Sequence, residues 1–72
     1  MNKYTDGEYV FYVSSLIGGD TYSVCKRRIG SDSTRIRRWC SRSNPVVSTP
    51  QEAEDVLEKT AVKRRWALYF DD

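Results

Sequence analysis

Thr49 to Phe70 reads TPQEAEDVLEKTAVKRRWALYF, and the point at which its helix stops decides the fold. Thr49 can accept from free amides at a helix start, Pro50 suits the first helical position and Glu52 stands where a capping box places its acid. Glu54 and Asp55 favour the positive end of the helix dipole. Ala53, Val56, Leu57 and Thr60 fall within one stripe at helical spacing, but a longer helix would carry Val62, Trp66, Tyr69 and Phe70 round to its other side. One helix cannot bury both sets. The spacing therefore predicts a break near Thr60 to Lys63 and a strand from Arg64 to Phe70, with Trp66, Leu68 and Phe70 sharing a face at period two. No glycine or proline marks that break, so a bent or longer helix is the alternative.

Upstream of Thr49 the pattern is that of strands. Glu8 to Ile17 is rich in aromatic and β-branched residues and runs into Gly18-Gly19-Asp20, which supplies the positive φ angles of a tight hairpin. Thr21 to Ile29 forms a second strand, Gly30-Ser31-Asp32-Ser33 a second turn, and Thr34 to Ser41 a third strand. Ser43-Asn44-Pro45 ends it, because proline has no amide to donate to a ladder. Alternation puts Cys25, Arg27 and Ile29 on one face of the second strand and Val24, Lys26 and Arg28 on the other. The fold class that follows is α+β: a three-stranded antiparallel meander, one helix packed on it through Ala53, Val56 and Leu57, and a C-terminal fourth strand, in the order β-β-β-α-β. Residues 1 to 7 and 71 to 72 read as frayed ends of a single domain.

A chain of 72 residues has room for one small core, and such folds lean on metals, disulfides, oligomers or dense packing. With no histidine and only two cysteines, a structural zinc site lacks ligands, and no cofactor is implied. Cys25 and Cys40 could be bridged if their strands adjoin. Met1 to Gly7 is polar and no long apolar run follows it, so the expectation is a cytoplasmic protein with reduced thiols and no membrane span. Support for the core comes instead from Tyr4, Tyr9, Phe11, Tyr12, Tyr22, Trp39, Trp66, Tyr69 and Phe70. So many rings strain the capacity of so small an interior, which leaves monomer and homodimer both open.

Charge is concentrated. Seven of the twelve cationic side chains lie between Lys26 and Arg42, where Asp32 alone opposes them, giving that segment a net +6 in a chain of net +2. The candidate contact residues are Lys26, Arg27, Arg28, Arg35, Arg37, Arg38 and Arg42 for phosphates or carboxylates, with Trp39 available to stack on a base. Lys63, Arg64 and Arg65 could extend the surface. Arginine's planar fork suits bidentate binding of either anion, so nucleic acid and an acidic protein partner are both candidates. Competing with this is a structural reading, in which charged strands guard a small sheet against edge-to-edge aggregation and Trp39 belongs to the core.

The run Trp39-Cys40-Ser41, followed by Pro45-Val46-Val47-Ser48-Thr49-Pro50-Gln51-Glu52-Ala53-Glu54, resembles small uncharacterised proteins of bacteriophages and prophages, in which a meander feeds a short acid-capped helix. The likeness spans about residues 8 to 70 and rests on turn and cap residues. It implies a phage-type accessory protein, working in the host cytoplasm, without a defined activity. In layout the expected fold is also similar to the arm-binding domains of tyrosine recombinases, where a three-stranded sheet backed by one helix enters the DNA major groove. A fourth strand departs from that layout, and the recombinase catalytic portion has no counterpart here.

Catalysis finds few materials. Without histidine, a serine or cysteine nucleophile needs lysine or a terminal amine as its base, and no serine sits in a nucleophile turn. Gly18-Gly19 lacks the lysine and further glycines of a phosphate loop. Glu52, Glu54, Asp55 and Glu58 belong to a helix start and its solvated face. The reading is therefore a non-enzymatic binding protein whose basic hairpin meets nucleic-acid phosphates, or alternatively a module that binds or inhibits a host protein.

Overall fold

A computed structural model describes residues 2–16, 18–30, 37–42 and 44–70. Its elements are β1 (Lys3–Thr5), β2 (Tyr9–Ser15), β3 (Tyr22–Arg28), β4 (Arg37–Arg38), α1 (Pro50–Arg64) and β5 (Ala67–Tyr69). The five strands form one antiparallel sheet in the order β4-β3-β2-β1-β5. The α+β class, the meander, the helix and the C-terminal strand are thus as the sequence predicts, and the sheet has one strand more.

That strand is β1, and it corrects the expectation of fraying over residues 2 to 7; Met1 and residues 71 to 72 lie outside the described residues. Asp6-Gly7 makes a tight turn between β1 and β2, with Gly7 at φ 101°. The Asp6 carboxylate accepts from the backbone amides of Glu8 and Tyr9, both at 2.8 Å. Thr5 completes the turn: its hydroxyl donates to the Tyr9 carbonyl at 2.8 Å and accepts from the Gly7 amide at 3.0 Å. These four bonds hold the turn closed, with Tyr4 in register opposite Phe11. The long β2–β3 hairpin turns at Gly18 and Gly19, at φ 102° and 77°, and is closed by the Leu16 amide on the Thr21 carbonyl at 2.9 Å.

The helix also runs further than expected. Thr49 caps it, its hydroxyl accepting from the Glu52 amide at 3.2 Å, but the helix continues through Thr60 to Arg64. Its end is a left-handed residue, Arg65 at φ 60° and ψ 40°. The Trp66 amide reaches back to the Ala61 carbonyl at 2.9 Å and the Arg65 amide to Val62 at 3.3 Å, the paired bonds of a Schellman stop made without glycine. Lys63 and Arg64 in the last turn suit the negative end of the dipole. Val62 is simply left outside, 81 % exposed, so the two apolar sets are separated by the Arg65 turn and by one sacrificed valine.

The helix lies across β2 and β3. Phe11, Val24, Trp39 and Leu57 form the centre of the core, flanked by Tyr4, Tyr9, Val13, Val56 and Trp66. Phe11 and Trp66 stack in parallel, with centroids 3.9 Å apart and planes 7° apart, while Trp39 meets both rings edge-on at 5.6 and 5.4 Å. Full burial of Leu57 adds about 2 kcal/mol of transfer free energy. Trp66 reaches this core, whereas Leu68 and Phe70 on the same face of the last strand remain largely in solvent.

Candidate nucleic-acid interface

Register decides which of the basic residues meet. On β3 the face toward the helix carries Val24, then Lys26, then Arg28, so the strand changes from core to cationic surface within three alternate residues. Lys26 stands opposite Arg37 of β4, and Cys25 opposite Arg38. Arg37 therefore shares the helix side with Lys26. Two residues on, Trp39 points the same way into the core, its amide bonded to the Val24 carbonyl at 3.0 Å.

Trp39 is what joins the sheet's cations to those of the helix. The Arg64 guanidinium lies 5.1 Å above its ring, which brings the basic last turn of α1, Lys63 and Arg64, to the side that bears Lys26, Arg28 and Arg37. Lys26 is held similarly, its ammonium 4.5 Å from the centre of the Tyr9 ring. An aromatic face orients a cation without cancelling its charge. Among the described residues none of Lys26, Arg28, Arg37, Arg42, Lys63 or Arg64 is paired with a carboxylate. A shallow cleft of about 270 Å³ along the helix flank, lined by Val56, Lys59, Thr60, Lys63 and Arg64, carries the positive surface further.

Other predicted contact residues go elsewhere. Trp39 is only 9 % exposed, so it is a core residue and does not offer a face for a base. Arg38 is half-buried on the outer face and donates to the Asn44 carbonyl, which makes it a structural tie. Arg27 also lies on the outer face, 5.9 Å above the Tyr69 ring, away from the helix-side cluster. Arg42 is exposed in the turn after β4, and Arg65 is the exposed helix stop. Arg35 lies outside the described residues, together with the rest of Ser31–Ile36.

Asn44 is the residue whose role the sequence concealed. It is 1 % exposed, and its side-chain oxygen accepts from the Val24 amide at 3.2 Å and the Ser23 hydroxyl at 3.1 Å. Its amide nitrogen donates to the Val24 carbonyl at 3.0 Å and to the Trp39 carbonyl. It thus pins the Arg37–Trp39 segment to β3 and so sets where Arg37 stands. Just beyond, Val47 and Tyr22 exchange two backbone hydrogen bonds of 2.8 and 2.9 Å. A buried-amide role of this kind is encoded only by Asn44 preceding Pro45, a pattern shared with ordinary turns.

The two thiols are free. Cys25 is buried and Cys40 exposed; burial pushes the Cys25 thiol up from its ordinary value, against a smaller opposite pull from Arg38. Among the described residues no histidine, cysteine and acid side chains gather as a metal site, and no helix is long and apolar enough to cross a membrane. No protein-family model, curated protein or solved structure matches the chain.

Proposed function

We propose that the protein is a non-enzymatic nucleic-acid binder, of the phage or prophage accessory type that its sequence resembles, and that it grips phosphates with Lys26, Arg28, Arg37, Lys63 and Arg64. The observation that carries this reading is the convergence of two basic runs, distant in sequence, on one side of the fold, where no carboxylate among the described residues neutralises Lys26, Arg28, Arg37, Lys63 or Arg64. Like charges gathered this way repel one another in the free protein, and a polyanion relieves that repulsion while releasing its own counterions. The acidic start of α1 at Glu52, Glu54 and Asp55 lies at the helix's other end, which orients the molecule toward its partner. With Trp39 withdrawn into the core, contact is to the backbone and the preference among base sequences is small.

Fluorescence anisotropy with labelled duplex and single-stranded oligonucleotides tests it. Binding should fall steeply between about 50 and 200 mM salt, and replacing Arg28, Arg37 and Lys63 by Glu should lower the slope of log K against log salt by about 2.7, or 0.9 for each lost contact on duplex DNA. Absence of binding at the lower salt, or an unaltered slope in the triple variant, refutes the proposal. In that event affinity for an acidic protein surface, with a shallower salt dependence, becomes the reading to pursue.

A further inference from the structure

We infer that the preferred nucleic acid is single-stranded, and that the cleft on the flank of α1 takes one unstacked base from it, laid against the Arg64 guanidinium with Lys59 and Lys63 on neighbouring phosphates. This rests on the nucleic-acid reading above and adds to its phosphate contacts one base contact and one further cation, Lys59.

Rim and floor of the cleft differ in chemistry. Val56 and Thr60 form the floor, and Lys59, Lys63 and Arg64 surround them. At about 3.6 residues per turn, Lys59 and Arg64 fall to either side of Val56 and Thr60, and Lys63 stands about 6 Å further along the axis than Lys59. The Thr60 hydroxyl donates to the Val56 carbonyl at 2.8 Å, so the floor offers methyl groups and no side-chain donor. At about 270 Å³ the cleft lies just below the usual range of ligand pockets, about 300 to 1,000 Å³. That space suits a single base and excludes a base pair.

Charge selects the ligand. Glu52 and Asp55, one turn before Val56 and Lys59, do not line the cleft, and the Asp55 carboxylate accepts from the Gln51 side chain at 3.3 Å. Among the described residues no carboxylate pairs with Lys59, Lys63 or Arg64. Three cations around an apolar floor fit a ligand that is anionic along its length and carries flat, weakly polar rings. Lysine stems lie along such a ring while their ammonium groups reach the phosphates.

Arg64 supplies the stacking surface. It is exposed and borders the cleft, and its guanidinium is held 5.1 Å above the Trp39 ring. Trp39 is itself locked in place by Phe11 and Trp66. The tryptophan too buried to meet a base thus positions a planar group that can, and arginine planes readily take unstacked bases. In a duplex the base must first leave its partner and its stack, a cost that a single strand does not incur. Stacking with no donor on the floor accepts any base.

Fluorescence anisotropy compares three labelled probes of about 12 nucleotides: an oligothymidylate, the same strand with abasic sites through its middle, and the duplex of the thymidylate with its complement. The oligothymidylate should bind at least about tenfold more tightly than the abasic strand, and more tightly than the duplex. A protein that meets phosphates alone treats the two single strands alike and favours the higher charge density of the duplex. Arg64→Lys keeps the charge and removes the plane, so the ratio of thymidylate to abasic affinity should fall to within about twofold of one. Lys59→Gln should lower the slope of log K against log salt on the single strand by about 0.7. Equal affinity for the two single strands, or a tighter duplex, overturns the base contact while leaving phosphate binding in place. A ratio untouched by Arg64→Lys, or a slope untouched by Lys59→Gln, overturns the role given to that residue. If none of the three probes binds at about 50 mM salt, the nucleic-acid reading falls and this inference with it.

Discussion

The Asn44 side chain takes both backbone groups of Val24, accepting from its amide at 3.2 Å and donating to its carbonyl at 3.0 Å. The Trp39 amide already reaches the Val24 carbonyl at 3.0 Å, so the Asn44 side chain supplies the other half of that rung, standing between the Val24 amide and the Trp39 carbonyl. Val24 is fully buried, so without Asn44 its amide has neither a protein partner nor water.

Replacing Asn44 by Ala should therefore cost about 3 kcal/mol, the penalty for buried polar groups left unsatisfied. Asn44→Asp should be no better, since it removes the donor to Val24 and Trp39 and sets a carboxylate against two carbonyls. Urea denaturation checks both: the midpoint should fall with little change in slope.

Trp66 should be as sensitive. Its ring stacks on Phe11 at 3.9 Å and is the one aromatic of the last strand region that enters the core. Trp66→Ala should lose about 3 to 5 kcal/mol and weaken the near-ultraviolet circular dichroism of the aromatic cluster, whereas Trp66→Phe should retain part of both.

At Arg65 a change should help. A side chain in the left-handed region costs about 1 kcal/mol that glycine does not incur, so Arg65→Gly is expected to raise the stability of the fold by up to about that amount, and Arg65→Val to lower it. Thermal unfolding distinguishes the two directions.

Asp6 should give the acid limb of stability a recognisable shape. The amides of Tyr9 and then of Glu8 hold its carboxyl below the ordinary carboxylate value, outweighing the opposite effect of burial. A folded-state pKa lower than the unfolded one contributes stability that is present above the unfolded value and is lost as pH falls through the folded one. Asp6→Asn should flatten the stability profile below about pH 4, as measured by denaturant midpoints across that range; an unchanged profile would show that the turn makes no such contribution.

The thiols offer a check on packing. Cys40 should react readily with a thiol reagent in the native protein and Cys25 only on denaturation, because Cys25 is fully buried and its ionisation is disfavoured by desolvation. One equivalent should be modified in buffer and two in denaturant.

Much of this architecture was legible in the residues. The glycine pair at 18 and 19, the Thr49 cap and the aromatic runs mark local structure strongly, and the structure places a hairpin, a helix start and strands there. What escaped was decided by distant contacts. Lys3–Thr5 is too short to announce itself, and only its neighbours β2 and β5 make it a strand, although Asp6-Gly7 is a turn signal in its own right. Apolar spacing places the helix end too early, because it asks for both apolar sets to be buried, whereas the fold tolerates an exposed Val62 and stops at Arg65 in the left-handed region. Among the basic residues, sequence could not separate Arg38, folded back on Asn44, from Arg37 next to it, since that difference rests on which side of the sheet each one faces. Trp39 had two readings, and burial chose the core.

Pairing Lys3 with Tyr69 has a mechanical meaning. The first and last strands of the sheet lie side by side and antiparallel, so a chain drawn by both ends is loaded at one corner of the sheet, on a single rung of the ladder at a time. Such a fold should come apart at low force, peeling β5 from β1 like a zip, while the β2–β3 hairpin and its helix stay together until those two strands have gone.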